Sequence, residues 1–100
     1  MKYYFVLESE VTDQGWVADY LKNVTKMVER RGGRYLSRTA NVRRLEGERK
    51  LLPLFIIIEW PSKEAAIAFM NYPVYVPHLK ARTAGSNSHH YLIEGKDDLA

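Results

Sequence analysis

The run Leu54-Phe55-Ile56-Ile57-Ile58-Glu59-Trp60 is apolar at nearly every position and leads directly into Pro61-Ser62, a helix start. A strand with one wet face alternates apolar and polar side chains. A strand without that alternation is covered on both faces of its sheet. A chain of 100 residues has helices enough to cover one face only. The second face therefore needs another layer, most simply a second copy of the chain. This strand constrains architecture strongly and chemistry hardly at all.

The remaining elements are set by changes in hydrophobic period. Lys2–Val11 reads as the first strand, with Tyr3, Phe5, Leu7, Ser9 and Val11 on one side. Thr12 or Asp13 caps the next element. From Trp16 the spacing turns helical, with Val17, Tyr20, Leu21, Val24, Met27 and Val28 in one stripe. Arg30 and Arg31 suit a helix C-terminus, and Gly32-Gly33 ends it. Arg34–Leu45 returns to strand character, Glu46–Lys50 is a turn around Gly47, and Leu51–Trp60 is the third strand, with Pro53 marking an irregular start. Ser62 is a good N-cap for a second helix that buries Ala65, Ala66, Phe69 and Met70. Pro73 and Pro77 frame a turn and a short helix, Val76–Arg82. His89–Glu94 is the last strand, and Gly95 opens a charged end. The order βαββαβ implies an α+β, ferredoxin-like protomer: a four-stranded antiparallel sheet with its helices on one face.

Composition narrows the function classes. There is no Cys, hence no disulfide, thiolate metal site or Cys nucleophile, and a reducing cytoplasm is the expected location. No run approaches membrane-spanning length. Positive charge concentrates between residues 26 and 50, where Lys26, Arg30, Arg31, Arg34, Arg38, Arg43, Arg44, Arg49 and Lys50 face only Glu29, Glu46 and Glu48. No recognition helix, zinc module or RNA-binding aromatic motif accompanies the cluster, so a solvated rim is expected and nucleic acid is not. Gly32-Gly33 is a helix stop, not a nucleotide loop, and there is no nucleophile elbow.

The stretches Gly32-Gly33-Arg34-Tyr35-Leu36-Ser37-Arg38, Leu45-Glu46-Gly47 and Ile58-Glu59-Trp60-Pro61-Ser62 are followed by Glu64-Ala65-Ala66, Tyr72-Pro73-Val74-Tyr75, Arg82 and Ile93-Glu94-Gly95. As an ordered set they resemble the bacterial family catalogued as domain of unknown function 1330, of the dimeric α+β barrel superfamily. The resemblance implies one such domain over residues 1–96, a short charged tail at 97–100, and a homodimer through the open sheet face. Trp60, Tyr72 and Val74 depart from the pattern, which usually has Phe, Ser and an acidic residue there. The wider superfamily includes cofactor-free monooxygenases, lactone isomerases, haem-dependent enzymes and ligand-sensing domains. A small organic ligand is implied, without a choice among these.

Candidate site residues come from charge and aromaticity in apolar settings. Arg38 shares a strand face with Leu36, Ala40 and Val42, and Glu59 shares one with Phe55 and Ile57. As catalytic groups, Arg38 would hold a carboxylate or enolate and Glu59 would accept a proton; the alternative is a structural ion pair. Which faces they occupy relative to each other depends on register. His78 and Arg82 are four apart on a helix and point the same way. With Tyr75 and Trp60 as aromatic wall and Arg82 as anion clamp, they outline a substrate pocket with His78 as catalytic base. The alternatives there are a surface helix and ordinary aromatic core. His89 and His90 point to opposite faces and cannot easily chelate one ion together; one of them with His78 and Glu59 is the alternative, but the spacing carries no metal signature, so neither a metal nor a cofactor is expected. The function expected is a cofactor-independent enzyme, monooxygenase- or isomerase-like, acting on a small aromatic or keto compound. The alternative is a noncatalytic ligand-binding or structural dimer.

Overall fold

A computed structural model describes residues 1–100. The elements are β1 (Tyr3–Val11), a 3-10 turn (Gln14–Trp16), α1 (Val17–Arg30), β2 (Arg34–Thr39), β3 (Leu54–Trp60), α2 (Lys63–Met70), α3 (Val76–Ala84) and β4 (Ser86–Glu94). The sheet order is β2-β3-β1-β4, antiparallel throughout. This is the ferredoxin-like order, with α3 added after α2.

Local chemistry sets the boundaries. Asp13 accepts a hydrogen bond from the Gly15 amide at 2.9 Å and starts the 3-10 turn into α1. At the other end Gly32 adopts φ 93°, a left-handed conformation that favours glycine. The Gly33 amide then bonds the Val28 carbonyl at 2.9 Å and the Gly32 amide that of Glu29 at 3.2 Å, a Schellman closure. Ser62 caps α2 through the Ala65 amide at 3.1 Å.

Register assigns the faces. Phe5 pairs with Ile58 and Leu92, and Leu7 with Ile56 and His90. These side chains lie under the helices, where Val24 and Val28 of α1, Phe69 of α2 and Tyr75 close the core around Phe5 and Trp60. The opposite face carries Tyr4, Val6, Phe55 and Ile57, with Tyr91 and Ile93 of β4 half exposed. The extents of 44 × 34 × 18 Å match this: the short axis accommodates one sheet and one helix layer, about 10 Å each.

α3 runs two residues past the expected Arg82, to Ala84, β1 starts at Tyr3 rather than Lys2, and three strand boundaries differ by three residues or more. β2 ends at Thr39 rather than Leu45, β3 starts at Leu54 rather than Leu51, and residues 40–53 form an irregular loop. Pro53 has no N–H to give a ladder, so pairing begins after it. β4 starts at Ser86 rather than His89, because Val11 to Ser9 of β1 offer a pairing edge that overrides the weak strand propensity of Ser86-Asn87-Ser88. The loop lies against the open face, where Arg49 meets Glu8 at 2.6 Å and Lys50 meets Glu10 at 3.2 Å. Part of the basic cluster is thus neutralised by sheet glutamates. No helix is long and apolar enough to cross a membrane.

Candidate ligand-binding site

Between α1 and the helix-covered sheet face runs an apolar cavity of about 100 Å³, lined by Leu7, Val17, Tyr20, Leu54 and Ile56 and closed by Arg82. Inward, it shares Leu7, Tyr20 and Arg82 with a recess of about 20 Å³ that adds Tyr75, Phe5 and His90. A recess of that size holds a water-sized group. Outward, it shares Leu21, Leu54 and Ile56 with a wide opening bordered by Thr25 and Arg38. A larger hollow lies on the opposite sheet face under the 40–53 loop. Its buried acid, Glu8, is already paired with Arg49, so it presents no buried charge without a partner.

Arg82 dominates the cleft. It is 4% exposed, takes part in no ion pair, and its Nε has no hydrogen-bond partner. Burial works against its charge, but the Tyr20 and Tyr75 oxygens beside it outweigh that and hold its pKa above the usual value. The two phenols stand 3.3 Å apart. Burial, and then Tyr75, push the Tyr20 phenol well above its ordinary pKa, against the pull of Arg82, so it stays neutral and can donate. His90 faces the same recess, its ring 4.6 Å from that of Phe5 in an edge contact. Burial and the nearby Arg82 charge hold its pKa down at about 4, leaving a neutral imidazole at neutral pH.

The backbone behind Arg82 is fixed by hydroxyls. Ser9 meets Ser88 at 2.8 Å, Ser88 meets Ser86 at 2.8 Å, and Ser86 donates to the Arg82 carbonyl at 2.5 Å. The Trp16 indole donates to the Gly85 carbonyl at 3.1 Å. A Cβ on Gly85 would collide with that indole nitrogen, so the close approach of α1's start to the α3–β4 joint requires glycine.

Arg38 reaches the cleft through a β-bulge. Tyr35 pairs with Ile58 and Ser37 with Ile57, leaving Leu36 as the extra residue. Tyr35 and Arg38 consequently share the helix-covered face. The Arg38 guanidinium stacks 3.8 Å over the Tyr35 ring and donates to Thr25 Oγ1 of α1 at 2.8 Å.

The six residues singled out from sequence separate into two sets. Arg82, Tyr75 and Arg38 border the cleft. His78 sits on the outer side of α3, partly exposed, its Nδ1 3.9 Å from Asp19 and its ring 6.4 Å from Tyr20. Trp60 is wholly enclosed between Phe5 and Phe69, as core. Glu59 lies on the open face, 3.1 Å from Lys2, and across the ladder from Arg34. No Arg38–Glu59 pair forms, because the bulge turns Arg38 to the other side. His89 faces the open side, opposite Glu8.

Tyr20 and His90 are the residues that sequence reasoning missed. Tyr20 was legible as part of the α1 stripe, but its partners were not. For His90, only pairing with Leu7 reveals which of two adjacent histidines turns inward.

The fold has known relatives. The profile of the family described as domain of unknown function (DUF1330) matches residues 2–96. The crystal structure of RPA0582, a protein of unknown function from Rhodopseudomonas palustris, is similar at TM-score 0.79 and 18% identity, covering 96% of this chain and 83% of that one. SnoaB from Streptomyces nogalater, a cofactor-independent oxygenase, is similar at TM-score 0.64 and 22% identity, covering 98% and 96%. The de novo designed protein Foldit4 is similar at TM-score 0.62 and 12% identity, covering 96% and 100%. No curated protein matches in sequence. At these identities the likeness to the two natural proteins shows the α+β fold alone. Such a fold does not by itself specify a chemistry.

Proposed function

We propose that this chain, which belongs to the DUF1330 family, binds a small aromatic or keto compound in the cleft between α1 and the sheet, with an anionic or enolisable oxygen against Arg82. The observation that carries the reading is the buried guanidinium without a counter-ion. A lone buried charge is costly unless something pairs it, and here the space in front of it is a cavity. The protein acts as a cytoplasmic bacterial homodimer joined through the open sheet face; the apolar side chains of that face support this reading.

Catalysis is supported by a second observation: a neutral imidazole, His90, shares the recess with Arg82. With Arg82 lowering the pKa of a carbon acid or phenol whose oxygen enters the recess, proton transfer to the imidazole would give an imidazolium and an enolate or phenolate. Arg82, with the Tyr20 and Tyr75 hydroxyls, would hold the negative oxygen. Such an electron-rich anion is the species that isomerises, or that dioxygen attacks in cofactor-independent oxygenation of the kind named for SnoaB. His90 takes the role that the sequence pointed to His78 for, and Tyr20 joins Tyr75. The alternative, binding without turnover, shares every step up to proton transfer.

The test is titration of the purified protein with 2-naphthol and phenylpyruvate by calorimetry, with dioxygen uptake and product analysis alongside. Stoichiometric binding is expected, weakened at least about tenfold in Arg82→Met, since hydrogen bonds to charged groups contribute about 1.5–3 kcal/mol. Arg82→Met should be no less stable than the parent, because an unpaired buried charge is replaced by an apolar chain. Equal affinity in the variant overturns the reading. Binding without product in any assay leaves the noncatalytic form.

A further inference from the structure

We infer that Arg38 is a second recognition point of the same cleft, and that the ligand is an elongated apolar molecule with an oxygen anion or enol at its deep end and a carboxylate at its outer end. This rests on Arg82 being the deep anchor, as proposed above.

A row of paired residues crosses the sheet. Arg38 pairs with Ile56, Ile56 with Leu7, and Leu7 with His90, all on the helix-covered face. Adjacent strands lie about 4.8 Å apart, so the row spans roughly 14 Å from backbone to backbone. At one end is the Arg82 recess, and at the other the Arg38 opening. Between them the floor is Leu7 and Ile56 and the roof is Leu21 and Tyr20 of α1, with no charge. A cation at each end of an apolar channel matches a molecule with negative groups at both ends of an apolar body.

Arg38 is built for this role. The bulge at Leu36 is what brings it to this face. Tyr35 fixes the plane of the guanidinium from one side, and Thr25 takes a single N–H. Four of its five donors remain, and no carboxylate of the chain pairs with it. A stacked guanidinium of fixed orientation suits bidentate capture of a carboxylate.

The experiment compares 2-naphthol with 6-hydroxy-2-naphthoate, which adds a carboxylate at the far end of the same rings, on the full chain and on Arg38→Gln and Arg82→Met. Because Arg38 is solvent-exposed, the parent should bind the hydroxy acid about three- to fivefold more tightly than the naphthol. Arg38→Gln should remove that advantage and alter naphthol affinity by less than about twofold, whereas Arg82→Met should weaken both by at least about tenfold. An advantage that persists in Arg38→Gln, or none in the parent, overturns the inference, while loss in Arg82→Met alone leaves the deep anchor standing. Indifference to both substitutions overturns the two readings together. Circular dichroism of each variant, with thermal melting, separates loss of binding from loss of folding.

Discussion

One ionisable side chain in the recess helps to set the state of another. Arg82 carries a charge that no acid offsets, and burial, together with that charge, holds the His90 pKa far below the usual range for histidine. The consequence for stability has a definite sign. Between about pH 6.5 and about 4 the unfolded chain binds a proton at His90 that the folded chain refuses. Stability contributed by this group is therefore complete above about pH 6.5 and is lost as pH falls toward 4, by up to about 3 kcal/mol. Chemical denaturation across this range should show that loss in the parent and a flatter profile in His90→Gln. Parallel profiles would mean that His90 titrates normally. An anion bound at Arg82 would neutralise one cause of the depression and make the imidazole a stronger base where the chemistry needs it.

At the scale of elements, two local devices place the site: the bulge in β2 and the abrupt stop of α1. The bulge changes the parity of the strand after Leu36, so Tyr35 and Arg38 share a face. The stop lets β2 leave α1 at close range, and Gly33 is the contact. A Cβ there would meet Val28 at 2.6 Å and the Trp60 ring at 3.0 Å, both fully buried and without room to yield. Gly33→Ala should cost about 1–3 kcal/mol through overpacking. For a domain of this size the melting temperature should drop by at least about 4 °C. An unchanged melt would show that the helix end shifts without cost. Trp60 belongs to this packing, and its large indole fills the space the glycine leaves.

For the molecule as a whole, the open sheet face is the unfinished part. Val6, Ile57 and Tyr91 pair across three strands, flanked by Tyr4 and Ile93, with no helix over them. A contiguous apolar patch of that kind marks an interaction surface. Ile57→Lys should yield a folded monomer, whereas Ile58→Lys, one position along and in the core, should not fold. Native mass spectrometry with circular dichroism distinguishes these outcomes. A parent chain that is monomeric at micromolar concentration would show that the face is covered in some other way. The cleft lies on the other side of the sheet, so loss of the proposed dimer and loss of the proposed ligand are separable.

The sequence by itself determined the elements, their order, the antiparallel α+β architecture and the family, because periodicity, caps and ordered motifs are properties of neighbouring residues. Arg82 and Tyr75 were legible as candidates for a similar reason: a phenol at the start of a short helix, and a guanidinium one turn after His78, share a local spacing. What only the tertiary structure decided was which of these side chains meet. Strand parity is local, but register and the bulge depend on the partner strand, so neither the separation of Arg38 from Glu59 nor the inward turn of His90 could be read along the chain. His78 and Arg82 share a helical spacing, yet one ends beside Asp19 at the surface and the other beneath α1. Burial is a property of the packed molecule, and burial without a counter-ion is what singles out Arg82.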